Sequence, residues 1–175
     1  MMMLHIIEPE PGKLHGSFSR DLPPALTIDP GDTVRFRTLD AGWGLEPRPA
    51  YNVPGRMFSP RVPERDDGHA LCGPVEIRGA QPGMVLEVRI EDIRPGRWGW
   101  TTSGVRQNEL TRKLGIHEVA ELNWTLDPDT MQGKDQHGHT LALAGLVVDL
   151  HISQIVNGGV FGVHAILPHH VLQNL

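Results

Sequence analysis

The chain has 175 residues, 20 of them glycine and 15 proline, and a formal net charge of −5 with histidine counted neutral. Glycine and proline at that density interrupt helices and favour short strands joined by turns. No stretch gathers lysine and arginine into a stripe that could follow a phosphate backbone, and no apolar run approaches the roughly 20 residues that span a bilayer, so neither nucleic acid nor a membrane is an expected partner. Cys72 is the only cysteine, which removes an intrachain disulfide and a thiolate metal cluster and fits a reducing, cytoplasmic setting. Met1 to Leu4 is apolar, but His5, Glu8 and Glu10 cut it short of a signal peptide.

Taken in chain order, the elements are mostly strands. Ala25 to Arg37 holds two β-type runs broken by Pro30-Gly31, whose order suits a type II turn, with Val34 and Phe36 alternating against Thr33, Arg35 and Arg37. This predicts a strand pair or one strand with a sharp corner. The same grammar returns from Val75 to Ile93, where Val75 and Ile77 precede a Pro82-Gly83 turn and Leu86, Val88 and Ile90 alternate with charged residues, predicting two more strands. Residues 40–68, rich in Gly, Pro, Arg and Asp, exceed a simple turn and read as a functional loop. Leu110 and Leu114 lie four apart in a stretch that Gly115 would stop, predicting one short helix over 109–114. A strand is expected over Glu121 to Leu126, a polar loop from Pro128 through His139, a buried strand within Leu141 to Ile155 and a last strand near Val160 to Ile166. The fold class expected is all-β: a mostly antiparallel sandwich or barrel-like single domain over residues 1–175, with long loops and at most one or two short helices.

Two ordered blocks carry a family likeness. The run from His15 through Pro23-Pro24-Ala25-Leu26 and Gly31-Asp32-Thr33-Val34 to Leu39-Asp40-Ala41, and the later Gly73-Pro74 followed by Gly79-Ala80-Gln81-Pro82-Gly83 and a strand, resemble the N-terminal half of the acetamidase/formamidase family. Cys72 stands where that family shows threonine, and Met84 where it shows aspartate. The likeness is good over roughly the first 130 residues. The end, Pro168 to Leu175, lacks the family's Gly-Gly-Asn and aspartate, and no Gly-Asp-x-His-Ala motif of its C-terminal half follows.

The resemblance implies hydrolysis of short linear amides, of formamide or acetamide type, to ammonia and a carboxylate. With no Gly-x-Ser-x-Gly motif, metal-activated water is the simplest chemistry, a divalent ion acidifying water and polarising the amide oxygen. Zinc is first among the candidates, since histidine and aspartate are suitable ligands, and no organic cofactor is expected. His15 and Asp40 are the candidate catalytic and metal-binding residues, through their match to the family positions. Asp40 read by itself could instead cap the turn that follows it, and His15 could be structural or exposed.

The remaining candidates favour plainer readings. His137-Gly138-His139 reads as a solvated turn, His169-His170 would face opposite sides of a strand, and His164 reads as packing or surface. Cys72, with His69 three residues before it, could be a nucleophile but is more simply a small buried residue. Trp43, Trp98, Trp100 and Trp124 could wall a pocket or simply pack. Two other functions stay open beside the amidase: a catalytically incomplete half that serves a complementary C-terminal chain, and a β domain that binds a small ligand without chemistry. Exposed strand edges make a homo-oligomer the other expected partnership.

Overall fold

The computed structural model describes residues 2–143, and 149–154 and 161–166 as backbone. The chain is all-β, as its turn density predicts: among the described residues there are twelve strands and one five-residue helix. No barrel closes among them, because the strands fall into separate sheets. They group into two compact units.

The first unit holds the described residues of Met1–Leu45, Met57–Ile90 and Val148–Leu167. Strand β1 (Leu4–Ile7) runs parallel to β4 (Thr33–Phe36), and β3 (Leu26–Ile28) runs parallel to β6 (Val75–Ile77). A four-stranded antiparallel sheet has the order β11 (Asp149–Gln154), β12 (Phe161–Ile166), β5 (Leu71–Cys72), β2 (Leu14–His15). Ile7, Leu14, Ile28, Leu39, Trp43, Cys72 and Val75 pack into one core. Burying side chains of this size stabilises by roughly 1.5–3 kcal/mol each.

Of the two readings of Ala25 to Arg37, the structure takes the corner. Asp32 N–H donates to the Asp29 carbonyl, and Gly31 has φ +92°, which a type II turn requires. β3 and β4 then pair with different partners instead of each other. A type II turn splays its flanking strands, whereas two-residue hairpins use the mirror-image turns. Pro82-Gly83 repeats the device, with Gly83 at φ +90° and Met84 N–H donating to the Gln81 carbonyl. Here the expected second strand does not form: residues 86–90 join no ladder, and Val85 is 95% exposed. Alternation gives a segment two faces, but a strand also needs a neighbouring backbone.

The second unit holds the described residues of Glu46–Arg56 and Glu91–Val147. Its sheet runs β10 (Thr140–Ala142), β9 (Gln132–Asp135), β8 (Ala120–Asp127), β7 (Trp98–Ser103), all antiparallel. β8 matches the strand expected around Trp124. β9 corrects the polar loop expected from Pro128 to His139, since Gly133 and Asp135 are buried and the ladder to β8 satisfies the backbone. β7 carries Trp98 and Trp100 two apart, an alternation the sequence reading passed over. Helix α1 (Glu109–Lys113) is capped by Asn108, whose side chain accepts from Thr111 N–H, and ends at Gly115 with φ +68°, as expected. Arg48 stacks 3.7 Å over the Trp100 ring and donates to Glu121 at 2.8 Å. Residues 144–148, 155–160 and 167–175, with Val147, Val148, His169 and His170 among them, lie outside the described residues.

Candidate active site

His15 ends β2 and is 1% exposed. Its Nδ1 lies 2.8 Å from the Ser17 carbonyl oxygen. A carbonyl can only accept, so Nδ1 carries the proton, and in the neutral ring the lone pair resides on Nε2. Burial is the main force lowering the pKa of His15, and the nearby Arg65 charge adds to it, against opposing effects from Ser17 and Asp66. The ring is therefore held neutral, in one tautomer. Phe18 packs edge-on at 6.4 Å between ring centroids.

The long loop returns to cover this end of β2. Gly16 N–H donates to the Arg65 carbonyl at 3.2 Å. Gly16 and Gly68 meet backbone to backbone: a Cβ on Gly16 would lie 2.6 Å from the Asp66 carbonyl carbon, and one on Gly68 would overlap the Gly16 oxygen. Only glycine permits that approach. Asp66, 1% exposed, is clamped by Arg65 through Nε and Nη2 at 2.7 and 2.8 Å and accepts from Val62 N–H at 2.8 Å. Burial alone would raise the Asp66 pKa, but these hydrogen bonds outweigh it and the net direction is down. Arg61 donates to the Asp66 carbonyl and lies 4.6 Å over the Trp43 ring. Arg65 and Asp66, which the sequence reading missed, are thus a charged pair whose field acts on the buried imidazole. Polar residues in an irregular loop give no periodic signal; only the Gly16–Gly68 contact brings them there.

Asp40 opens the same loop and is half-buried. Its Oδ2 accepts from Gly42 N–H at 2.9 Å and Gly44 N–H at 3.4 Å, and its carbonyl accepts from Trp43 N–H. The turn-capping geometry weighed as the alternative is present, and it fixes the carboxylate in place. Trp43 adopts φ +67°, a costly conformation for a tryptophan. It is held by core burial, by Phe58 and by Nε1–H donation to the Gly68 carbonyl at 2.7 Å. A continuous path therefore links the two sequence-selected residues: Asp40, Trp43, Gly68, Gly16, His15.

The other candidates take quieter places. Cys72 is fully buried in the core, its Sγ 3.6 Å from the Arg37 carbonyl, and burial pushes its thiol up to about 12, so it is no thiolate at neutral pH; His69 is exposed. His137 and His139 flank a hairpin tip where Asp135 accepts from both backbone N–H groups and from His139 Nδ1. Trp43 belongs to the first unit, while Trp98, Trp100 and Trp124 belong to the second. Among the described residues, no three His, Cys, Asp or Glu side chains gather as a metal cluster.

Fold and site together define an all-β chain with a deeply buried, tautomer-fixed histidine under a loop. Residues 5–173 match the model of the acetamidase/formamidase family, and the chain belongs to that family. The match runs well past the roughly 130 N-terminal residues that carry the sequence motifs. The chain is 33% identical over 103 residues to a Schizosaccharomyces pombe protein named as a formamidase, a match covering 57% of this chain and 24% of that protein. It shares its fold with a gamma lactamase from Delftia acidovorans at a TM-score of 0.52 and 20% identity, covering 85% of this chain and 37% of that one. The chain thus spans well under half the length of these relatives.

Proposed function

We propose that this chain serves the hydrolysis of short linear amides, of formamide or acetamide type, to a carboxylate and ammonia. The divalent metal that the reading calls for, zinc by donor chemistry, would be held in part by His15, with Asp40 as a further ligand or as the acid/base. The observation that supports this is the His15 hydrogen bond. Metal-ligating histidines characteristically donate the second ring N–H to a backbone carbonyl or carboxylate, which fixes the tautomer and leaves the other nitrogen basic. His15 does so, while buried and neutral. Such an ion supplies Lewis acidity, acidifying a water and polarising an amide carbonyl. Burial, with the Arg65 charge adding to it, lowers the His15 pKa, and the backbone donors of Gly42 and Gly44 hold the Asp40 carboxylate rigid. The lone, buried cysteine suits a cytoplasmic setting.

The test is ammonia release from formamide and acetamide by the purified chain with added zinc, manganese or cobalt. Turnover that His15→Asn abolishes is the expected result; no release with any metal counts against an autonomous enzyme. A second reading is that the chain is one portion of a split enzyme, working with a complementary C-terminal chain. Activity appearing only after the remaining portion of a full-length relative is added would select it.

A further inference from the structure

The hairpin tip between β9 and β10 is built around a single carboxylate. The Asp135 side chain is wholly buried, and its Oδ1 accepts from His137 N–H at 2.9 Å and from His139 N–H at 2.8 Å. Its Oδ2 lies 2.7 Å from His139 Nδ1. The backbone closes the same turn: Asp135 N–H donates to the His139 carbonyl, and Gly138, at φ +92°, donates its N–H to the Asp135 carbonyl. Gln136 pins the tip to β8, donating to the Glu121 carbonyl at 2.9 Å and accepting from Asn123 N–H at 2.7 Å. Each residue from Asp135 to His139 is thereby held by at least one hydrogen bond. The solvated turn expected from the sequence accounts for the backbone bonds, but not for the bond to the imidazole.

That ring bond has a chemical consequence. Burial alone would raise the Asp135 pKa, but the hydrogen bonds from His139 and the hairpin N–H groups outweigh it, so the carboxylate is ionised and can only accept. Nδ1 of His139 therefore carries the proton, and Nε2 of the neutral ring carries the lone pair. The His139 side chain is 75% exposed, so the ring that offers this lone pair is open to solvent. An imidazole that donates one N–H to a buried carboxylate and keeps its other nitrogen free has the surroundings of a metal-ligating histidine. His137, also exposed, brings a second ring, with centroids 6.1 Å apart. With metal–nitrogen bonds of about 2.0–2.1 Å, two imidazoles on one ion place their centroids about 5–6.5 Å apart, for angles at the metal from tetrahedral to linear. Asp135 has both oxygens engaged by the two histidines, so it orients and does not ligate. Two nitrogen ligands suit the late divalent transition metals, copper(II) above the others, whereas calcium and magnesium require oxygen.

We infer that His137 and His139 form a two-imidazole surface site for a late divalent transition-metal cation, copper(II) held most tightly, with Asp135 positioning His139 and water filling the remaining coordination. The site belongs to the second unit, whereas His15 and Asp40 belong to the first, and it stands whether or not the chain hydrolyses amides. The test adds copper(II) chloride, up to one equivalent, to the full chain labelled with 15N. Paramagnetic broadening of the amide resonances of residues 135–139 is expected, with the affinity read from the titration lowered at least about tenfold by His137→Asn and by His139→Asn. Both side chains are exposed, so these variants keep the fold, and unmoved β8 amide shifts verify it. His15→Asn should leave the broadening unchanged, which separates this site from the proposed catalytic metal; its loss there would assign the copper to the first unit and overturn the inference. Amides of residues 135–139 that stay sharp at one equivalent, or broadening indifferent to both hairpin substitutions, overturn it as well. The positioning role of Asp135 has its own readout. Imidazole 15N shifts of the metal-free chain should place the His139 proton on Nδ1, and a proton found on Nε2 would overturn the assignment of that nitrogen to the metal.

Discussion

A thiolate is the reactive form of cysteine, and Cys72 is kept from it because ionisation would strand a charge among Leu14, Val75 and Ala70. Iodoacetamide at neutral pH is therefore expected to leave the native chain unmodified and to label it fully in denaturant, as mass spectrometry would show. Rapid native labelling would reinstate Cys72 as a candidate nucleophile. Cys72→Ser should leave amide turnover unchanged and cost about 1–3 kcal/mol, the usual penalty of a buried, poorly paired hydroxyl, read from urea unfolding. At this scale the sequence was informative about residue types and silent about surroundings. His15 and Asp40 were nominated through the blocks they belong to, but the Ser17 carbonyl that fixes the ring is a backbone atom that no side-chain pattern announces.

Turns were the most legible elements. Gly31, Gly83 and Gly115 all take the positive φ that their turns predict. Partners were the least legible, because pairing depends on distant segments: β3 meets β6 across 49 residues, and residues 86–90 have the right alternation but no ladder. The loop over His15 depends on one close approach, which makes it testable. Gly68→Ala places a methyl group against the Gly16 oxygen and should destabilise the chain by about 1–3 kcal/mol, as overpacking does. The same change should shift Trp43 emission, since the indole N–H donates to the Gly68 carbonyl. An unaltered melting curve and spectrum would show that the loop is not seated as described.

Over the whole molecule, several aspartates act together on acid stability. Asp32 is lowered from 3.8 by the Met3 N–H and by His5; Asp127 by Thr130 and the Asp129 N–H; Asp135, although burial opposes it, by His139 and the hairpin N–H groups. Each binds its proton more weakly folded than unfolded, so the stabilisation is complete above 3.8 and is lost as pH falls through the lower, folded-state values. The urea midpoint should begin a gentle decline as pH falls below about 6.5, where the unfolded chain protonates His15 more readily than the folded one, and drop steeply below about pH 4, with the acid drop shallower in Asp135→Asn. A midpoint flat into the acid range would refute the assignment. The all-β class was legible at this scale from glycine and proline alone. The division into two units was not, because residues 46–56 leave the long loop for the second unit, and nothing in their composition marks the change of allegiance.

The alternation across β2 has one more consequence, for how this chain can change over time. Leu14 belongs to the core and His15 to the opposite face, so the two surfaces of the sheet are written in the same few letters, one residue out of phase. Deleting a single residue just before Leu14 would exchange the two, burying an imidazole in the core and removing it from the other side. Substitutions can drift here one at a time, but insertions and deletions cannot. Length, more than composition, is the inherited quantity at this strand.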